Sequence, residues 1–140
     1  MVERVPFDED EYQRWLAHAE HTLAAARADL EAKFFSWGCF KAQQAAEYAV
    51  KGLLRGAGAP AVGHSVLQLL MELADGGSVV PEGLRDCARV LDRSYIATRY
   101  PDAFDQGSPF QYFAHADTTR AVECARQIVD FVMQEKGRHV

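Results

Sequence analysis

A chain of 140 residues, 49% apolar and 25% charged, has an ordinary globular composition and the length of one domain with a real core. Its net charge of −5 excludes the broad basic surface that general duplex nucleic-acid binding requires, but not a local basic site. No apolar run approaches the roughly 20 residues of a membrane span, and the start, Met1 to Pro6, lacks the pattern of a secretory signal. Three cysteines, an odd count, do not make a disulfide framework. The expectation is a cytoplasmic, reduced protein whose residues 1–140 form a single domain.

The first predicted helix runs from about Asp8 to Ala32. Asp8, Glu9, Asp10 and Glu11 stand where acids favour a helix N-terminus. Tyr12, Leu16, Ala19, Leu23, Ala26 and Leu30 repeat at three and four, with Trp15 beside them. His18 and His21 share a face at a three-residue step. With no Cys or carboxylate cluster nearby, they read as surface histidines rather than metal ligands.

After a short break, a second helix is predicted from about Ser36 to Arg55. It has two different faces. Cys39, Ala42, Ala46, Ala49 and Leu53 form a small-residue apolar seam. Lys41, Gln44, Tyr48, Lys51 and Arg55 fall on another side, at steps of three and four. Such a stripe is either a solvated helix face or a site for an anion. Gly56 to Pro60 stops the helix, since Gly suits the C-cap and Pro blocks extension.

The third helix is predicted to open near His64-Ser65, where Ser65 and Gln68 make a capping-box pattern. Val66, Leu69, Leu70 and Leu73 give its buried face, and Asp75-Gly76-Gly77 ends it. The fourth begins after Pro81, with Leu84, Cys87, Ala88, Leu91 and Tyr95 on one side. Tyr100-Pro101 stops it. Asp102 to Gln111 reads as a loop, and the fifth helix runs from about Phe113 to Lys136. The three cysteines each fall on an apolar side, where a free thiol acts as a small hydrophobe. Long amphipathic helices with short links predict an all-α, antiparallel up-and-down bundle of about five helices.

At the end of the fourth helix, Arg99, Tyr100 and Asp102 admit two readings. In one they form a structural corner, with Arg99 paired to Glu47 or Asp102. In the other Arg99 binds phosphate and Tyr100 stacks a base. The functional reading places Lys41, Gln44, Lys51, Arg99 and Tyr100 around one cleft, with His64, Asp102 and Tyr48 as secondary candidates. Gly56-Ala57-Gly58 lacks the strand and Lys-Thr context of a phosphate loop, so no cofactor or metal is expected. Phe34, Phe35, Trp37, Phe40, Phe110, Tyr112 and Phe113 exceed what one core needs and predict a homodimer interface, unless the connecting loops bury them.

The order of these segments carries a resemblance. A Lys-Ala-Gln-Gln-Ala-Ala-Glu-Tyr-Ala-Val-Lys helix at 41–51 is followed by His64-Ser65-Val66-Leu67 and then by Tyr95 to Asp102, which ends in Arg-Tyr-Pro-Asp. From about Tyr12 to Met133 the chain resembles a HEPN domain, of the branch that carries that motif. The resemblance implies a helical bundle that usually dimerises. Some members of the family are metal-independent ribonucleases, often toxins. Others bind nucleotides or serve as partner subunits, and many are encoded beside a small nucleotidyltransferase.

The ribonuclease branch places a His about four to six residues after an Arg. His carries a proton near neutral pH, and Arg stabilises the developing phosphorane. Here the residues after Arg99, from Tyr100 to Gly107, include no His. The departure favours a non-catalytic HEPN protein that binds a nucleotide or single-stranded RNA beside a nucleotidyltransferase partner, in a toxin–antitoxin-type pair. The alternatives are a ribonuclease in which folding brings His64 to Arg99, and a purely structural helical subunit.

Overall fold

A computed structural model describes residues 6–138. The stretch before it, Met1 to Val5, read above as lacking a secretory signal, lies outside the described residues. The described residues form five α-helices and no strand: α1 (Glu9–Glu31), α2 (Phe35–Gly56), α3 (Val66–Asp75), α4 (Glu82–Ala97) and α5 (His115–Lys136). Two short 3-10 turns, Pro101–Ala103 and Pro109–Gln111, punctuate the predicted loop between α4 and α5. Among the described residues no helix is long and apolar enough to cross a membrane.

Local chemistry starts α1. Asp8 accepts a hydrogen bond from the Glu11 amide at 3.0 Å, and three acids occupy the first turn. At its other end the chain reverses through Lys33, which lies at φ 67°. The Asp8 amide then donates to the Gly56 carbonyl at 2.7 Å, so α1 and α2 run antiparallel over their full length. At the far end of the bundle Thr118 of α5 donates to the Phe35 carbonyl at 2.8 Å. Lys136 meets Glu9 at 2.8 Å, which sets α5 antiparallel to α1 and alongside α2.

Helix α2 packs against all four other helices. Its seam is made for close approach: Ala42, Ala45, Ala46 and Ala49 are fully buried. A Cβ on Gly52 would stand 2.8 Å from Trp15 Cβ of α1, and one on Gly38 2.5 Å from Thr118 Cγ2 of α5. Only a residue without a side chain lets both backbones come so near. The buried apolar residues of all five helices join one cluster. Cys39, Cys87 and Cys124 lie within it, and burial pushes the Cys39 thiol up and the Cys124 thiol, beside Cys87, to about 12.

The start of α3 departs from the sequence reading. Ser65 does accept from the Gln68 amide at 3.1 Å. The Ser65 amide makes no reciprocal bond to the Gln68 side chain; instead the carboxylate of Asp92, from α4, caps the amides that follow. It accepts from the Val66 amide at 2.8 Å, the Leu67 amide at 3.0 Å and the Ser65 hydroxyl at 2.9 Å. A distant acid thus neutralises the orphan donors and positive end of the helix. It also fixes the segment that carries His64 against α4.

Candidate functional site

One face of α2 is polar where it should be core. Gln43 and Gln44, Glu47 and Lys51 stand one turn after another beyond Phe40, against α4 and the start of α3. Glu47 is 2% exposed. A buried carboxylate needs donors, and this one has four. Lys51 Nζ lies 3.2 Å from Oε2 and His64 Nδ1 3.2 Å from Oε1. The amides of Gln43 and Gln44 each reach Oε1 at 3.4 Å. Gln43 also donates to the His64 carbonyl at 2.8 Å, pinning the loop from both sides.

The contact decides what His64 presents. An ionised Glu47 accepts, so Nδ1 carries the proton and Nε2 is left as a lone-pair nitrogen on a largely exposed ring. The ring stacks on Tyr95 of α4, centroids 4.9 Å apart and planes 17° from parallel.

Tyr95 is shared with Arg99, one helical turn on. The Arg99 guanidinium lies 4.4 Å from the Tyr95 ring centre, 4.5 Å from Phe40 and 5.0 Å from Tyr100. Its Nε donates to the Tyr95 carbonyl at 3.0 Å. Among the described residues no carboxylate pairs with it, so its two Nη groups keep their donors free. Three aromatic walls hold the fork in place while leaving its hydrogen-bonding edge unused. Tyr100 is 47% exposed, with ring surface still available.

The predicted residues therefore divide. Gln44, Lys51, His64, Arg99 and Tyr100 gather around Glu47 and Tyr95. Lys41 does not: its Nζ lies 2.8 Å from Asp29 Oδ2 of α1. At 3.6 residues per turn Lys41 is displaced about 80° around the helix from Lys51, enough to aim it at a different neighbour. Lys51 is close by but already neutralised by Glu47, which also leaves that acid paired with Lys51 rather than with Arg99. Asp102 is exposed in the first 3-10 turn and makes no ion pair with Arg99. Tyr48 faces α1, its ring 4.7 Å from His18 and 6.1 Å from Trp15. Burial and then Glu47 and Tyr95 push its hydroxyl's pKa up.

Four residues that shape the site were not singled out for it from the sequence: Phe40, Gln43, Tyr95 and Asp92. A signal existed for two of them. Tyr95 is four residues before Arg99 and Phe40 seven before Glu47, spacings that put each pair on one helix face. Nothing local pointed to Asp92, whose partners lie 25 to 27 residues away. With Glu47 and Lys51 cancelling, the site carries one net positive charge from Arg99, and a second when His64 is protonated. Among the described residues no cluster of His, Cys, Asp or Glu could hold a metal ion.

The chain matches known proteins over nearly its whole length. The family model described as HEPN domain matches residues 12–136. The crystal structure of TT1696 from Thermus thermophilus is similar at 41% identity and a TM-score of 0.85, covering 88% of this chain and 96% of that one. ST0689, described as an archaeal HEPN homologue, is 32% identical with a TM-score of 0.75, and the match covers 99% of this chain and 100% of that one. A HEPN domain protein of Thermotoga maritima, TM0613, is 36% identical with a TM-score of 0.73, covering 89% and 98%. No curated protein matches significantly. The extent of the family match, and helical structures superposing at more than 30% identity, establish that this chain belongs to the HEPN domain family.

Proposed function

We propose that this HEPN protein binds a nucleotide or single-stranded RNA through Arg99 and Tyr100, with Gln44 and His64 at the rim, and does not cleave it. The observation that carries the reading is the Arg99 fork: oriented by three rings, unpaired by any acid among the described residues, and beside an exposed tyrosine. Phosphate oxygens match the free Nη edge, and a base matches the Tyr100 face. Service beside a small nucleotidyltransferase, in a toxin–antitoxin-type pair, rests on the family resemblance.

Titration of ATP, GTP and a short single-stranded RNA tests it. Binding should weaken as salt rises. Arg99→Ala should lower affinity by about 1.5–3 kcal/mol for each charge-assisted hydrogen bond lost. Lys51→Ala should weaken binding less than Arg99→Ala, because its charge is already committed to Glu47. If wild type binds none of the three, the structural-subunit reading takes its place.

A ribonuclease reading has one observation in its favour. Glu47 holds His64 in the tautomer whose Nε2 can take a proton, and His64 shares the Tyr95 ring with Arg99. In that chemistry the 2′-oxygen bonds to phosphorus as Nε2 takes its proton, and Arg99 faces the phosphorane. The P–O5′ bond then breaks to leave a 2′,3′-cyclic phosphate, the departing 5′-oxygen taking a proton from the imidazolium or from water. The expected result with chelator present is no cleavage. Robust cleavage abolished by both His64→Ala and Arg99→Ala would establish the ribonuclease instead.

The homodimer belongs to the same proposal. Phe34, Trp37, Phe110 and Tyr112 are each about half exposed or more. Phe34, Trp37 and Phe110 border one cleft, with a volume of about 380 Å³. Phe35, Phe40 and Phe113 are half-buried in their own chain, so they contribute less. Light scattering at micromolar concentration should give twice the chain mass, and Trp37→Glu should shift it to the monomer. A monomeric wild type would remove the dimer.

A further inference from the structure

A second aromatic and cationic cluster lies on the α1 side of α2. Between α1 and α2 a cleft of about 440 Å³ is lined by Arg14, Trp15, His18 and Tyr48. Its volume lies in the range of small-molecule sites. Trp15 and Tyr48 supply tilted walls, planes 50° apart with centroids at 6.1 Å, and the exposed His18 ring packs on Tyr48. The Arg55 guanidinium lies over the Trp15 ring at 4.9 Å.

The charges around this cleft are unevenly committed. Glu11 is spoken for: it accepts from Arg14 at 2.9 Å and from the Trp15 indole at 2.9 Å. Arg55 has no acid in hydrogen-bond contact among the described residues, and its Nε is buried without a partner. A guanidinium stacked on Trp15, with no acid hydrogen-bonded to it among the described residues, beside the half-buried Trp15 and Tyr48 rings offers a phosphate and a base their respective partners. Tyr48 joins this cleft to the first site. It follows Glu47 on α2, so the two sites share that helix.

We propose that the cleft between α1 and α2 is a second base-binding subsite, so that the ligand is a single-stranded polynucleotide spanning from Arg99 and Tyr100 to Trp15 and Arg55, rather than a mononucleotide. The inference rests on the nucleotide-binding reading of the Arg99 site and extends it. Trp15 and Tyr48 stack one base, and Arg55 meets a phosphate of the same strand. Stacking tolerates any base, so the preference is for length and single-strandedness before sequence.

Anisotropy or calorimetric titration of uridine monophosphate and of two-, four- and eight-residue oligouridylates provides the test, with oligodeoxythymidylates to show whether the 2′-hydroxyl matters. Wild-type affinity should rise about tenfold or more between the mononucleotide and the tetranucleotide. Trp15→Ala and Arg55→Ala should each remove most of that rise and leave mononucleotide binding within about twofold of wild type. Trp15→Phe, which keeps a stacking face, should retain part of the rise and guards against a merely misfolded variant. A length dependence unchanged in folded Trp15→Ala and Arg55→Ala, or absent in wild type, overturns the subsite and leaves the Arg99 reading standing. Failure of wild type to bind any oligomer overturns the subsite, and failure to bind uridine monophosphate, ATP and GTP as well overturns both.

Discussion

Glu47→Ala lowers the unfolding free energy by about 3–5 kcal/mol, because it strands a lysine inside the protein. The Lys51 side chain is 11% exposed and that of Glu47 2%, so this is a desolvated pair rather than a surface one. Removing the acid leaves the ammonium buried with no counter-charge, and the Gln43, Gln44 and His64 donors lose their shared acceptor. A domain of ordinary stability has about 5–15 kcal/mol in total, so urea denaturation of the variant shows a midpoint sharply reduced. The paired replacement Glu47→Leu with Lys51→Met recovers most of the loss, since both charges then leave the interior together. A loss below about 1 kcal/mol for Glu47→Ala would show that water reaches the pair freely. The same single change frees His64 Nδ1, so the tautomer read from the ring-nitrogen NMR signals of His64 changes between wild type and variant.

Asp92→Ala costs about 2–4 kcal/mol and loosens the site from the other side. Its carboxylate accepts three hydrogen bonds at the start of α3. The loss combines a missing N-terminal cap with charge-assisted bonds to two backbone amides. Asp92→Asn keeps a carbonyl oxygen for one or two of these donors and costs less than Asp92→Ala. Hydrogen exchange locates the effect: the amides of Val66, Leu67 and Gln68 exchange faster while those in the middle of α2 stay protected. Uniform loss of protection across all helices would mean that Asp92 acts on the whole bundle rather than on this junction.

The five helices were legible because their determinants are local. Tyr12, Leu16, Ala19 and Leu23 sit on one face whatever they pack against, and Gly58 at φ 93°, Gly77 at φ 111° and Pro101 end a helix through their own backbone preferences. The Asp8 cap needs only its own first turn. The resemblance of residues 41–51 and 95–102 to HEPN domains was likewise a property of the string, and the family match follows it.

The site was legible only in part. Periodicity shows which residues share a stripe but not which neighbour the stripe meets, and the two differ for Lys41 and Lys51. The first turns to Asp29 of α1 and the second to Glu47 of its own helix. Whether a cation is free to bind an anion depends on such partners, and those are chosen by packing. Arg99 stays unpaired because Phe40 from α2 and Tyr95 from α4 close around it with ring faces instead of acids. His64 acquires an orientation because Gln43, Glu47 and Asp92, from two other helices, converge on its loop. The sequence by itself determined the helices, their breaks and the family. Tertiary structure decided which charges are buried or left exposed. Lys51 and Glu47 are an i,i+4 pair that α2 can make alone, but the burial of that pair, the turn of Lys41 to Asp29 and the ring faces around Arg99 exist only in the assembled bundle.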